Sequence, residues 1–170
     1  GTAMKGVSVA VGAAATAVTG LVTASVNAYA EYEQLVGGVD TLFKDSSKKL
    51  QEYANQAYKT AGMSANEYMS TVTSFSASLL QSLGGDTEKA ADYANQALID
   101  MSDNVNKMGT SMESIQYAYQ GFAKQNYTML DNLKLGYGGT KEEMERLLED
   151  AQKLTGVKYD ISNFGDVTQA

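Results

Sequence analysis

The chain of 170 residues contains no proline. At the average usage of roughly 5%, about eight prolines are expected in a chain of this length. Proline disrupts a helix interior because it lacks a donor N–H and its ring clashes with the preceding turn. The composition, 44% hydrophobic and 19% charged, is sufficient for a packed core rather than a disordered chain. We therefore predict an all-α fold built from long uninterrupted helices.

Cysteine and histidine are also absent. Their absence excludes a disulfide framework, a zinc or haem site with the usual ligands, a cysteine nucleophile and a Ser-His-Asp triad. Positive charge is scarce, because 13 Lys and Arg face 20 Asp and Glu, for a net charge of −7. This is the wrong sign for neutralising phosphates, so nucleic-acid binding is not indicated. We expect no catalytic residue, no cofactor and no metal site.

A long uncharged segment occupies residues 6–30. It exceeds the roughly 20 residues that a membrane-spanning helix needs, although its many Ala, Gly, Thr and Ser residues insert poorly. Met4 and Lys5 before it, and the small residues Ala28 and Ala30 near its end, also fit a signal peptide. Residues 4–30 can therefore be interpreted as a signal or as an anchor.

A third interpretation of this segment comes from spacing. Apolar and small side chains alternate by three and four residues, which is typical of the seam of a self-associating helix. A neighbouring face repeats small residues every fourth position from Gly12 to Ala28, which lets another backbone approach closely. We predict one long apolar helix over residues 1–36. The predicted self-association residues are Val7, Val11, Val18, Leu21, Tyr32 and Leu35.

Glycines divide the remaining chain, and helix-start signals follow several of them. In a capping box, a Ser or Thr hydroxyl and a carboxylate three residues later satisfy unpaired N–H groups of the first turn. We predict that Gly37-Gly38 ends the first helix. The predicted capping boxes begin at Ser64, Thr110 and Thr140, with a further helix start at Asp86 or Thr87.

Between these boundaries the apolar residues keep a helical period. The longer periodic segments are residues 50–61, 69–83, 90–108, 112–122 and 144–154, with a short apolar segment at 129–133. The long first helix is therefore expected to precede a bundle of about five shorter amphipathic helices over residues 37–156. Residues 157–170 are expected to begin a further segment of a longer chain.

Three local features suggest chemistry, and each has a simpler interpretation. The glycine-rich turn from Gly136 to Gly139 precedes a helix start, where an anion can bind, but it lacks phosphate-loop spacing and is interpreted as a hinge or a tight interhelical corner. Glu113 precedes a serine as in lytic transglycosylases, but their Gly-Leu-Met-Gln element is absent. The acidic run from Glu142 to Asp150 lies on a helix without a calcium loop, so it is interpreted as a solvated face.

The aromatic and sulfur content is biased, with 11 Tyr against 4 Phe and with 8 Met. Tyrosine retains one polar end and methionine is adaptable, so both suit surfaces that repack against partners. Many of these residues lie on the periodic faces described above. Ordinary use in the core is therefore the favoured interpretation.

Several stretches carry a family resemblance. They include YEQLVGGVDTLF at 32–43, AYKTAGMSANEYM at 57–69, FSASLLQSLG at 75–84 and YQGFAKQNYTMLDNLKLGYGGT at 119–140. Together with 100–104 and 143–148, they resemble the core region of phage tail tape measure proteins from siphophages and prophages of Gram-positive bacteria. The resemblance covers residues 32–166 in order. Residues 1–31 match only as an apolar helix of the kind that precedes this core.

The resemblance implies a structural virion protein rather than an enzyme. Tape measure proteins are much longer, lie in the lumen of the tail tube, fix its length during assembly and leave ahead of the DNA, so this chain would be a fragment. The implied partners are further copies of itself, tail tube and tail assembly chaperone proteins, and the host membrane through residues 6–30. The implied location is the tail tube lumen of the virion, and the host cytoplasm during assembly.

Two other classes remain open at the level of sequence. One is a secreted or membrane-tethered helical interaction protein that uses residues 4–30 as a signal or anchor. The other, more weakly supported, is a peptidoglycan-cleaving enzyme that uses Glu113.

Overall fold

A computed structural model describes residues 15–170, and it describes side chains from residue 27 onward. The helices are α1 (Ala15–Phe43), α2 (Ser47–Thr60), α3 (Ala65–Ser82), α4 (Thr87–Met108), α5 (Met112–Ala123), α6 (Lys141–Thr155) and α7 (Phe164–Gln169), with 3-10 turns at Lys44–Ser46 and Leu130–Leu133. Residues 15–170 contain no strand. The predicted all-α class is therefore confirmed for this part of the chain. The predicted beginning of the first helix, residues 1–14, lies outside the described residues.

The first helix does not end at Gly37-Gly38 as predicted but continues to Phe43. A glycine inside a helix costs about 1 kcal/mol relative to alanine. Val39 and Phe43 are fully buried in the core, and burying such side chains stabilises by about 1.5–3 kcal/mol each. The burial of the last turns therefore outweighs the low helix propensity of the two glycines.

Three predicted helix starts are confirmed. The backbone N–H of Glu67 donates to the Ser64 hydroxyl at 3.1 Å, and that of Glu143 donates to the Thr140 hydroxyl at 3.2 Å. Asp86 caps α4 through its carboxylate. These contacts fix where α3, α4 and α6 begin.

The predicted cap at Thr110 is wrong by one residue. Ser111 is the N-cap of α5, and its hydroxyl accepts from the backbone N–H of Ser114 at 3.2 Å. The Thr110 hydroxyl instead donates to the Asn104 side-chain oxygen at 2.7 Å. Because this tertiary contact engages the first hydroxyl, the second one caps the helix.

Helix α3 lies at the centre of the bundle and contacts α1, α2, α4, α5 and α7. Its buried face contains Met69, Val72, Phe75 and Leu79, as the helical period predicts. Tyr68 is also fully buried, and its hydroxyl donates to the side-chain oxygen of Asn95 on α4 at 2.7 Å. The core therefore forms around this helix.

Residues 157–170, which the sequence assigns to the start of a further segment, include the short helix α7. Phe164 and Val167 are buried, and the Phe164 ring packs edge-on against Phe75 at 6.3 Å. The side-chain amide of Asn163 donates to the carbonyl oxygen of Ser82 at 2.9 Å. These residues belong to the same core as the bundle.

Candidate interaction surfaces

The predicted self-association residues lie in different surroundings. Tyr32 and Leu35 are partly buried against the core of their own chain. Val18 and Leu21 belong to α1, although their side chains lie outside the described part. Val7 and Val11 lie outside the described residues. The end of the predicted seam therefore contributes to the bundle.

Helix α1 leaves the bundle just before Tyr32. Asn27 to Ala30 are exposed around the helix, with Tyr29 63% exposed. The side-chain amide of Asn66, at the start of α3, donates to the carbonyl oxygen of Ala28 at 3.2 Å. From here the helix continues to Ala15, and residues 15–26 span about 18 Å.

The glycine-rich turn at 136–139 forms a corner before α6. The place where the sequence suggested that an anion can bind is occupied by a carboxylate of the same chain. The Glu143 carboxylate accepts from the backbone N–H of Gly138 at 3.1 Å and from Arg146 Nε at 2.6 Å. Arg146 also donates to the carbonyl oxygen of Gly136 at 2.9 Å and lies 4.3 Å over the Tyr137 ring. The interpretation as a tight corner is therefore supported, because the Glu143 carboxylate takes the place of an external anion.

The electrostatics of this corner follow from its hydrogen bonds. The pKa of Glu143 is lowered to about 2, first by the hydrogen bond from Arg146 and then by the N–H of Gly138. The Tyr137 hydroxyl donates to Asp150 at 2.6 Å, and this contact raises the pKa of the tyrosine. The polar groups of the corner thus satisfy one another.

The other two sequence candidates, Glu113 and the acidic run, lie on the helix surfaces. Glu113 is exposed on α5, where its carboxylate accepts from the Tyr117 hydroxyl at 3.3 Å. Within residues 15–170, no group of acidic residues has an arrangement that could hold a metal ion. In the acidic run, Glu142, Glu145 and Glu149 are exposed, in agreement with a solvated face.

A large apolar cleft was not anticipated from the sequence. It has a volume of about 510 Å³ and is formed by α4, α5, α6, α7 and residues 130–137. Its apolar lining includes Met101, Ile115, Phe122, Leu133, Met144 and Val167. These residues come from four helices and a turn. The apolar period of each element predicts that they face the core, but it does not predict that they line a common cleft. The tyrosine and methionine content suited an adaptable surface, but ordinary use in the core was the favoured interpretation.

Three acidic side chains, Asp100, Asp103 and Asp150, and one cation, Lys107, line this cleft. Asp150 also lies 3.8 Å from Lys153. Burial raises the pKa of Asp100, and the neighbouring charge of Asp103 acts in the same direction. The cleft therefore combines an apolar interior with an excess of negative charge.

Comparison of the chain with protein-family models, with curated proteins and with solved structures returned no match. In the part of the chain that the structure describes, no helix combines the length and the apolar character needed to cross a membrane.

Proposed function

We propose that this chain is a segment of a phage tail tape measure protein, with a structural role in the tail rather than a catalytic one. The observation that carries the proposal is the ordered resemblance over residues 32–166. The proposed location is the lumen of the tail tube, reached from the host cytoplasm during assembly. The proposed partners are other copies of the chain, tail tube protein and a tail assembly chaperone.

The resembling stretch at 119–140 contains positions where the fold tolerates only glycine. A Cβ added to Gly139 would lie 2.3 Å from the carbonyl oxygen of Thr128, and one added to Gly121 would lie 2.9 Å from that of Asn126. Both distances are too short for non-bonded atoms. The resembling stretch therefore includes glycines on which the path of this chain depends.

Helix α1 supplies the feature that a length-determining protein needs. An α-helix gives a constant 1.5 Å per residue, and proline would kink it. The bundle is folded back on itself, so its residues add little length. We assign the length-determining and self-association role to the helix predicted from the sequence before Tyr32, with Val7, Val11, Val18 and Leu21 as its association residues and with Tyr32 and Leu35 at its junction with the bundle.

Protection from protease in purified tails tests this proposal. Because a tape measure lies inside the tube, peptides from residues 32–166 should be recovered by mass spectrometry only after the tube has been dissociated. Antibody against tail tube protein serves as the control that intact tails are present. Digestion of these residues in intact tails, or their absence from tails, would contradict the proposal.

A secreted or membrane-tethered interaction protein is the second candidate. The uncharged run over residues 6–30, with Ala28 and Ala30 before Glu31, favours it. Intact mass after expression in an exporting host distinguishes the two. Loss of the mass preceding Glu31 would support export, and retention of the full mass favours the tail protein.

A further inference from the structure

The apolar cleft follows helix α6 for most of its length. Met144, Leu147, Ala151 and Leu154 all line it, at spacings of three and four residues. Met144 is buried at the inner end of this row, so the part open to solvent runs from Leu147 to Leu154, about 10 Å along the helix axis. This length matches the two turns over which an amphipathic helix places its anchors in a groove.

The rim of the cleft leaves large apolar side chains in contact with solvent. Met108 is 41% exposed, Leu135 is 48% exposed and Leu154 is 88% exposed. All three line the same cleft. Single exposed apolar residues are ordinary, but a continuous apolar patch with polar edges marks an interaction site.

The charge around the cleft indicates what kind of partner fits. Asp150 already contacts Lys153 at 3.8 Å and the Tyr137 hydroxyl at 2.6 Å, but Asp100 and Asp103 still outnumber Lys107 in the lining, and the whole chain carries a net charge of −7. Nucleic acid and anionic lipid are repelled by this arrangement. A second copy of the chain is also a poor match, since it is acidic overall and its apolar segment before residue 31 holds Lys5 as its single cation.

We propose that the cleft binds an amphipathic helix of another protein, with lysine or arginine flanking its apolar face. The apolar face covers Met108, Leu135 and Leu154, and the basic side chains meet Asp100 and Asp103. Met108, which is 41% exposed at the rim, can adapt to different apolar side chains. This inference does not depend on the proposed tail function, because it follows from the shape and charge of the cleft alone.

A pair of synthetic peptides tests the inference on the whole chain. The probe is a fluorescein-labelled helical peptide of leucine and lysine, about 14 residues long to cover the groove, and its partner has glutamate in place of every lysine. In fluorescence anisotropy, the lysine peptide should bind at least about tenfold more tightly, a difference of about 1.4 kcal/mol. Its affinity should fall as salt is raised.

Methionine methyl NMR locates the binding. Signals of Met101, Met108 and Met144, which line the cleft, should shift when the lysine peptide is added. Met63 and Met69 are buried outside the cleft and serve as internal controls. Shifts that include Met63 and Met69 equally would contradict a localised site.

Matched variants separate specific docking from general attraction to an acidic protein. The pair Asp100→Asn and Asp103→Asn should weaken lysine-peptide binding by about tenfold. The pair Asp45→Asn and Glu52→Gln, which removes the same charge from exposed positions outside the cleft, should leave it unchanged. Equal weakening by both pairs, equal binding of both peptides, or no binding would overturn the proposal. So would a concentration-dependent dimer of the chain that Leu154→Ala abolishes.

Discussion

At the residue scale, Glu143 joins the two sides of the corner before α6. Its carboxylate binds the N–H of Gly138 and the guanidinium of Arg146. Both contacts are stronger with the ionised form, so the pKa of Glu143 falls from its usual 4.5 to about 2. A carboxyl whose pKa is lowered by folding stabilises the folded state above its unfolded pKa, and this contribution is lost as the pH falls through the folded pKa.

Glu143→Gln should therefore lower the free energy of unfolding at neutral pH. The difference from wild type should become smaller as the pH falls from 4.5 to about 2. Urea unfolding of wild type and variant across this range measures the difference. Glu142→Gln is the matched control, since it removes an exposed carboxylate from the same first turn. The free energies of unfolding of the two variants should differ at neutral pH and become similar in acid. A Glu143→Gln deficit that does not change with pH would show that the ionised contacts contribute nothing.

The sequence predicts only part of this corner. Thr140 and the carboxylate three residues later indicated a capping box, and the hydroxyl contact to the N–H of Glu143 is present. The carboxylate, however, binds Gly138 and Arg146. The close approach of Gly139 to Thr128 joins two stretches of chain that meet only after folding. Local sequence signals predict contacts within one turn of a helix. They do not predict contacts between stretches of chain that meet only in the folded structure.

At the element scale, helix α1 belongs to two parts of the molecule. From Tyr32 to Phe43 it packs on the core, whereas residues 27–30 are all exposed and the Asn66 side chain contacts only the backbone of Ala28 there. The heptad pattern runs through both parts without a break, so the sequence does not mark the change. Burial of Val39 and Phe43, which depends on the other helices, places the bundle boundary before Tyr32 rather than at Gly37.

We predict that the part of the chain before residue 27 drives self-association. Val18→Asp should reduce the molar mass measured by light scattering, because an unpaired charge in an apolar interface costs several kcal/mol. Val18→Ala is the matched control and should retain most of the association. A chain shortened to residues 27–170, which keeps Tyr32, Leu35 and the described core, should be monomeric. Equal molar mass for all of these chains would contradict the assignment.

Helix α7 is too short to be predicted from apolar periodicity. Its six residues span less than two turns, so the apolar pattern cannot develop. A local signal was present, since Asn163 caps the helix and accepts from the N–H of Asp166 at 3.0 Å. The longer helices α2 to α6 were predictable from their period, glycines lie next to the ends of α2, α3, α4 and α6, and the caps at Ser64, Asp86 and Thr140 add to these signals.

At the scale of the whole molecule, the helical class followed from composition and period, but the cleft did not. Its lining comes from α4, α5, α6, α7 and residues 130–137, and each contributor shows only an ordinary apolar face. Leu154 illustrates this, because it lies on the predicted face of α6 and is nevertheless 88% exposed. Which apolar residues remain uncovered depends on how the helices assemble.

The proposed role of the helix before the bundle, as part of a molecular ruler inside a phage tail, can be tested genetically. Deleting residues 8–28 in frame from the parent gene removes three heptads and preserves the phase of the seam. Duplicating the same residues is the matched control.

Tail length measured by electron microscopy tests this claim most directly. The account predicts tails shortened by about 30 Å with the deletion and lengthened by about 30 Å with the duplication, since each residue contributes about 1.5 Å. Unchanged length in both mutants would contradict a ruler role for this helix. Unchanged length for every in-frame deletion in the parent gene would contradict the tape measure proposal itself.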